Sequence, residues 1–251
     1  MPLDTRRPRQ EALTGIIQTI ATGETVMKKM IVANWKANLS SERATLWLDT
    51  FVAVYRPRLD IEVILAVPVL ALPMVAERVM SLPGVALAAQ SVSAYPQGNY
   101  TGSTPAAWLR GLATYTLLGH REGRRYFHVT VQDVARQAYE SLAEDLQPII
   151  CFDAELLTAQ TAAMASEELG HLIWAYTPDT PATLEMARNA ADIVAMLPKI
   201  AQKTDNRPVL YGGGVTVDNG GSLWQIAGLH GLMLGKGCLD AAAFARLINQ
   251  L

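Results

Sequence analysis

The sequence has no excess of charge of either sign. Its 21 basic and 23 acidic residues give a formal net charge of −2, and no basic run is dense enough to form a nucleic-acid-binding tail. No apolar run approaches the ~18 residues that a membrane-spanning helix needs. We therefore predict that neither nucleic acid nor a membrane is a partner.

Cysteine is also scarce. The two cysteines, Cys151 and Cys238, lie far apart and show no metal-ligand spacing. Neither a disulfide framework nor a zinc-type cluster is indicated, so we predict no metal, no cofactor and a reduced, cytoplasmic location.

Half of the 251 residues are hydrophobic, which is enough for a sizeable core. The start of the chain superficially resembles a signal peptide, because three arginines between positions 6 and 9 precede the apolar stretch Ala12–Ile20. That stretch is short, it is broken by polar residues, and no cleavage site follows it. We interpret residues 1–26 as an N-terminal extension, or as translation from an upstream start, with Met27 opening the domain proper.

Eight short runs that are apolar on both faces alternate with amphipathic stretches, as is typical of buried parallel strands. The runs are Met30–Ala33, Val63–Val67, Val85–Ala89, Tyr115–Leu118, Pro148–Phe152, Leu172–Tyr176, Pro208–Tyr211 and Gly231–Leu234. The alternation predicts a single-domain (β/α)8 barrel over residues 27–251, although a doubly wound open sheet produces the same pattern. The barrel is favoured because polar residues or glycines follow most runs, and a barrel brings those ends together on one face.

Helical patterns lie between the runs. Val131–Asp145 follows Thr130, with Asp133 three residues on, which is a weak capping box. A second helix is predicted over Thr183–Leu197, with Pro198 ending or kinking it. The segment from residue 151 to 172 is compressed, which predicts a reduced outer helix.

Four segments, in order, resemble the site-forming segments of triosephosphate isomerase. They are Asn34-Trp35-Lys36, Gly119-His120-Arg121-Glu122, Ala175-Tyr176-Thr177-Pro178 and Tyr211-Gly212-Gly213-Gly214-Val215. The resemblance covers residues 30–251. It implies that Lys36 neutralises a substrate phosphate and a developing enediolate, that Asn34 hydrogen-bonds the ligand, that His120 polarises the substrate carbonyl, and that Glu122 pairs with Lys36.

Glycine-rich strand ends let backbone N–H groups approach a phosphate. Gly213 and Gly214 follow one such strand, and Gly235 and Lys236 follow the next. All four are predicted to bind the ligand. Two depart from the family pattern, because Gly214 replaces a phosphate-contacting serine and Lys236 replaces a glycine.

The family's catalytic glutamate is missing, since Thr177 stands in its place. A threonine hydroxyl is far too weak a base to abstract a carbon-bound proton near neutral pH. The link from residue 178 to the next helix looks very short and contains no glycine, so the family's closing lid is reduced. Asp179 is the nearest candidate for a substitute base, while Asp153 and Glu155 also follow a strand on the catalytic face.

Arg121 replaces a small serine of the family. If Arg121 and Lys236 point inward, the site prefers a more anionic ligand than a triose phosphate, such as a sugar bisphosphate or a phosphorylated acid. An outward Arg121 forming a surface ion pair is the open alternative.

The stretch 90–102 resembles the family's long loop that inserts into a neighbouring subunit. This resemblance implies a homodimer in which Thr101 supports the neighbouring site. In the family a glutamate and an arginine pair near this interface. Both are replaced here, by Ser103 and Gly123, so no unpaired charge remains.

Three functions remain open. The first is an aldose–ketose isomerase that acts on a small phosphorylated sugar with a substitute base. The second is a non-catalytic relative that keeps an anion pocket and serves in binding or regulation. The third is a different reaction on the same scaffold, because fold does not determine chemistry.

Overall fold

The structure is a computed structural model that describes residues 17–19, 25–178 and 189–251. Its strands are β1 (Ile17–Thr19), β2 (Thr25–Met27), β3 (Lys29–Asn34), β4 (Ile61–Val67), β5 (Val85–Ala89), β6 (Tyr115–Leu118), β7 (Gln147–Phe152), β8 (Ile173–Tyr176), β9 (Val209–Tyr211) and β10 (Gly231–Leu234). Strands β3 to β10 form a closed parallel barrel, in which β10 pairs with both β9 and β3. The predicted barrel is confirmed, and the open-sheet alternative is wrong because the first and last strands of the barrel are hydrogen-bonded to each other.

Two residue clusters explain why the strand runs are continuously apolar. Alternate residues of β3 and β4, such as Met30, Val32 and Ile64, fill the barrel interior. The residues between them, such as Ile31 and Val63, pack outward against the helices. Both faces of these strands are buried, so the sequence shows no alternation of polar and apolar residues along them.

The helices of the described chain surround the barrel. They are α1 (Ser41–Val54), α2 (Leu72–Val79), α3 (Arg121–Phe127), α4 (Val131–Ala143), α5 (Leu157–Ala163), α6 (Ser166–Leu169), α7 (Ala190–Lys203), α8 (Gly220–Trp224) and α9 (Ala241–Gln250). The predicted reduction between β7 and β8 is confirmed, since only the short helices α5 and α6 lie there. No helix among the described residues is both long and apolar enough to cross a membrane.

Helix α4 shows how local sequence sets a boundary. Thr130 Oγ1 accepts a hydrogen bond from the Asp133 amide at 3.1 Å, and Asp133 Oδ2 accepts one from the Thr130 amide at 2.9 Å. The predicted capping box is therefore confirmed. The helix ends at Ala143, before the predicted Asp145, because Asp145 has a left-handed φ of 59°.

The helix predicted over Thr183–Leu197 needs correction. Residues 179–188 lie outside the described residues, but Asn189 has an extended backbone and caps a helix that begins at Ala190. That helix runs through Pro198 to Lys203, so of the two predicted effects of Pro198 the end of the helix is wrong, and the kink stays a prediction. The fully buried Ile193 and Ile200 anchor it on both sides of the proline, which offsets the lost backbone hydrogen bond.

Strands β1 and β2 pair antiparallel in a sheet separate from the barrel. The division of the chain into an extension over residues 1–26 and a domain over 27–251 remains a prediction.

Candidate active site

The first strand of the barrel ends in a strained turn that presents Lys36. Lys36 has a φ of 49°, in the left-handed region that side chains other than glycine rarely adopt. The almost fully buried Asn34 accepts a hydrogen bond from the Lys36 amide at 3.0 Å and so supports the turn. Such strain persists only where surrounding contacts hold it, and it is concentrated at functional sites.

Gln90 is the residue that holds this turn from outside. Its Nε2 donates to the carbonyl oxygens of Lys36 and Ala66, both at 3.0 Å. These two hydrogen bonds join the end of β5 to the end of β4 and to the Lys36 peptide. Gln90 opens the 90–102 stretch, but its contact with Lys36 could not be predicted from the sequence, because it spans 54 positions of the chain.

Replacing Gln90 by leucine is expected to destabilise the fold by about 1–3 kcal/mol, because two partly buried carbonyls lose their shared donor. Lys36 should also become less well ordered, so affinity for inorganic phosphate should fall. Urea unfolding and phosphate titration measure the two effects. The exposed Gln132 on α4 provides the matched control as Gln132→Leu, and wild-type stability in Gln90→Leu would contradict the assigned role.

Glu122 joins Lys36 to His120. Its Oε1 lies 2.5 Å from Lys36 Nζ, and its Oε2 lies 3.0 Å from His120 Nδ1. Burial acts to raise the pKa of Glu122, but the hydrogen bonds and charges of His120 and Lys36 outweigh it and lower that pKa to about 2. Glu122 is therefore an ionised acceptor at every physiological pH.

This depressed pKa predicts an acid-sensitive contribution to stability. The folded-state pKa of Glu122, about 2, lies below the ordinary value of 4.5, so its contribution is present above pH 4.5 and is lost as the pH falls towards 2. The stability difference between wild type and Glu122→Gln should shrink over that range in urea unfolding. The exposed Glu77, replaced as Glu77→Gln, is the control, and a pH-independent difference for Glu122→Gln would contradict the prediction.

The last strand ends beside the same ammonium group. A Cβ on Gly235 would lie 3.3 Å from Lys36 Cε and 3.6 Å from Nζ, so Gly235 is packed against this side chain. The exposed Lys236 follows as the first residue of a 3₁₀ turn, Lys236–Cys238, whose last residue is buried. Arg121 is the partly exposed first residue of α3, directly after His120.

Glycines after β9 complete this face. A Cβ on Gly213 would lie 2.7 Å from the Tyr211 hydroxyl and 2.8 Å from Pro178, so only glycine fits. Gly214 has a left-handed φ of 62°, and its carbonyl accepts a hydrogen bond from Asn219 Nδ2 at 3.0 Å. Both glycines thus lie at the C-terminal end of the barrel strands, as Gly235 does.

Thr177 is bound to the neighbouring strand. It is 5% exposed, its amide donates to the Phe152 carbonyl at 2.8 Å, and its hydroxyl donates to the same oxygen at 3.2 Å. The hydroxyl is thereby engaged as a donor to the main chain. Asp179, the predicted substitute base, lies outside the described residues.

The two other acidic candidates do not contact His120 in the hydrogen bonds that the structure shows. Asp153 Oδ1 accepts from the Leu156 amide at 2.9 Å, which places it in a local capping role, and Glu155 is exposed.

Arg124 was also missed by sequence reasoning. Its Nε donates to the Gly119 carbonyl at 2.8 Å, and its guanidinium donates to Gln160 Oε1 at 2.6 Å. Burial lowers the pKa of Arg124, while the nearby Cys151 and Asp153 oppose that shift. The side chain thus holds the peptide that precedes His120.

Comparisons with known proteins point to one family. The family model described as triosephosphate isomerase matches residues 29–251. A triosephosphate isomerase of Herminiimonas arsenicoxydans is 30% identical over 247 residues, covering 88% of this chain and 98% of the relative. One from Delftia acidovorans is 31% identical over 243 residues, with the same coverage of 88% and 98%.

A solved structure agrees with the fold. The crystal structure of triosephosphate isomerase from Bartonella henselae superposes with a TM-score of 0.74 at 22% identity, covering 89% of this chain and 98% of that one.

Proposed function

The chain belongs to the triosephosphate isomerase family, and from that premise we propose that it binds a small phosphorylated sugar or acid at the C-terminal face of the barrel. Aldose–ketose isomerisation at this site is weak or proceeds through a substitute base. The proposal rests on one observation, the contact of Lys36, Glu122 and His120 beside the glycine-rich end of β10.

The charges of this arrangement support anion binding. Lys36 provides an ammonium group at the C-terminal face of the barrel. Its strained backbone is held by hydrogen bonds with Asn34 and Gln90. Gly235 lies against that ammonium and adds no side chain that would cover it. A phosphate or a developing enediolate oxygen at this position gains a charge-assisted hydrogen bond.

Weak catalysis follows from Thr177. Its buried hydroxyl donates to the Phe152 carbonyl, and threonine supplies no carboxylate. A positioned general base typically contributes about 10²–10⁴-fold to a rate. We therefore expect its loss to lower the isomerisation rate by a large factor without affecting the anion site.

The same observation favours a second candidate, a non-catalytic relative that binds phosphorylated ligands in a binding or regulatory role. A different reaction on the same scaffold is the third candidate.

Arg121 and Lys236 lie on this face in addition to Lys36. A ligand with more negative charge than a triose phosphate, such as a sugar bisphosphate or a phosphorylated acid, would match these cations.

Titration calorimetry on the purified chain separates these candidates when it is combined with a coupled isomerase assay. Glyceraldehyde 3-phosphate, 3-phosphoglycerate and fructose 1,6-bisphosphate are the ligands to compare. We expect binding of at least one, together with isomerisation far slower than in ordinary members of the family. Absence of binding by all three would refute the proposal, and turnover at an ordinary rate would refute the predicted weakness.

We also propose a homodimer formed through the 90–102 loop. The Ser93 amide closes the base of this loop by donating to the Thr104 carbonyl at 2.7 Å. Tyr95 and Tyr100 stack with centroids 4.8 Å apart and are each 43% exposed. Phe127 is 78% exposed at the end of α3, so large aromatic surfaces are available for burial against a second copy.

Sedimentation equilibrium should therefore give twice the 27.2 kDa chain mass. Tyr100→Asp should shift the protein towards monomer, because a carboxylate would be buried without a partner. Leu59→Asp is the control, since Leu59 is 77% exposed between α1 and β4. A monomeric wild type, or a dimer unaffected by Tyr100→Asp, would contradict this interface.

A further inference from the structure

Helix α3 positions two residues of the site. His120 is its N-cap, and the His120 Nδ1 accepts a hydrogen bond from the Glu122 amide at 3.4 Å. Glu122 lies in the first turn of the helix, and its carboxylate reaches Lys36 Nζ at 2.5 Å. The arrangement of the site therefore depends on where the N-terminus of α3 lies.

Apolar packing within one copy of the chain does not hold this helix. It is seven residues long, and none of its residues is buried. Its two aromatic residues, Tyr126 and Phe127, are 63% and 78% exposed. Helices in proteins are usually stabilised by packing of an apolar face, and so short a helix has little stability of its own. Other contacts must therefore fix the position of α3.

Arg124, which is partly buried, makes such contacts from the middle of α3. Its Nε donates to the Gly119 carbonyl at 2.8 Å. Its Nη2 donates to Gln160 Oε1 at 2.6 Å and to the Cys151 carbonyl at 3.4 Å. Because the guanidinium is a planar fork of donors, one side chain ties α3 to the end of β6, to β7 and to α5 at once.

The surrounding chain is closely fitted to this guanidinium. Gly119 has a left-handed φ of 67°, and a Cβ there would lie only 2.6 Å from Arg124 Nη2, so glycine is required. Gln160 is fully buried, and its Nε2 donates to the Val131 carbonyl at 3.2 Å. That bond leaves Gln160 Oε1 oriented to accept from Arg124.

We infer that Arg124 is a positioning residue of this site, because it fixes the N-terminus of α3 and with it His120 and Glu122. The inference rests on the proposed function, since the site that it positions is the proposed anion site. Arg124 acts through these neighbours and not on the ligand, because its Nε and Nη2 donors are engaged with main-chain carbonyls and with Gln160.

The titration of Glu122 in the ligand-free protein reports the position of α3. Burial acts to raise the pKa of Glu122, but the hydrogen bonds and charges of His120 and Lys36 lower it to about 2. A displaced helix loses those contacts, so the pKa should rise towards its ordinary value of 4.5. A loss of stability that leaves α3 in place would not change this pKa.

The variant to compare is Arg124→Met, which keeps an unbranched stem and removes the donors. We follow the Glu122 carboxyl by ¹³C NMR between pH 7 and about pH 4, and Glu122→Gln identifies its signal. The signal should stay constant in the wild type and should titrate in this range in Arg124→Met.

Two further variants isolate the role of the hydrogen bonds. Arg125→Met removes an exposed cation of the same helix, whose guanidinium lies 5.6 Å from the centroid of the Tyr126 ring, and should leave the Glu122 signal as in the wild type. Gln160→Met keeps the charge of Arg124 and removes only its 2.6 Å acceptor. It should shift the Glu122 pKa in the same direction by a smaller amount, and it serves as the test if Arg124→Met does not fold.

Calorimetry with inorganic phosphate distinguishes the two levels of the proposal. We expect Arg124→Met to bind phosphate about 10-fold more weakly than the wild type, the lower end of what a charge-assisted hydrogen bond contributes. A wild type that binds phosphate, together with an unchanged Glu122 titration in folded Arg124→Met or, failing that, in Gln160→Met, would overturn the role of Arg124 alone. Absence of phosphate binding by the wild type would overturn the proposed function and, with it, this inference.

Discussion

Replacing Thr177 by glutamate is expected to raise the rate of isomerisation of glyceraldehyde 3-phosphate by about 10²-fold, the lower end of the contribution of a general base. The substitution supplies a carboxylate at the end of β8, where the family resemblance implies one. The lower end is expected because another position of the site also departs from the pattern that the resemblance implies, with Gly214 in place of a phosphate-contacting serine.

Two features of the surroundings of residue 177 bear on the longer side chain. The amide hydrogen bond to Phe152 at 2.8 Å does not depend on the side chain and should persist. The neighbouring Gly212 has no side chain, and a Cβ there would lie only 3.0 Å from Thr177 Cγ2. Because Gly212 carries no Cβ at this close contact, we expect the backbone to accept a glutamate, at the cost of the hydrogen bond from the threonine hydroxyl.

Thr177→Gln is the matched control, because it has the same size and no basic oxygen. Thr177→Val removes only the hydroxyl and reports what the bond to Phe152 contributes to stability, about 0.5–1.5 kcal/mol for a typical hydrogen bond. A coupled assay and thermal unfolding are measured for all three variants. If Thr177→Glu folds and is no faster than Thr177→Gln, a missing base is not what limits this chain.

Replacing Lys36 by methionine is expected to weaken binding of a phosphorylated ligand by about 10–100-fold, because a charge-assisted hydrogen bond is worth roughly 1.5–3 kcal/mol. Methionine keeps most of the apolar stem that packs on Gly235. Calorimetric titration with glyceraldehyde 3-phosphate and with inorganic phosphate measures the loss. Rising salt should reduce the difference between wild type and variant, since the lost interaction is electrostatic.

Two controls isolate the role of the charge. Lys199→Met removes an exposed cation of α7 on the outside of the barrel and should leave affinity unchanged. The double variant Lys36→Met with Glu122→Gln removes both partners of the ion pair, so no half-buried carboxylate is left without its cation. Equal affinity of wild type and Lys36→Met would show that the anion binds elsewhere.

The order of the strands and the position of the site could be predicted from the sequence. The eight apolar runs match the barrel strands to within two residues at either end, because strands buried on both faces have a local and continuous signature. The family resemblance likewise depends on residues that stand side by side in short segments, such as Asn34 and Lys36. Helix α7 was predicted poorly, because its passage through Pro198 depends on packing at Ile193 and Ile200.

The sequence by itself determined the barrel, the family and the loss of a carboxylate at position 177, because each depends on residue type along the chain. The tertiary structure alone decided how the remaining groups act. Gln90 holds the strained Lys36 across 54 positions, and the Thr177 hydroxyl donates to Phe152 across 25. Glu122 contacts His120 at 3.0 Å and Lys36 at 2.5 Å, the latter across 86 positions of the chain. Contact distances set to within a few tenths of an ångström, and left-handed backbone angles, are properties of a packed fold. No local pattern of residues encodes them.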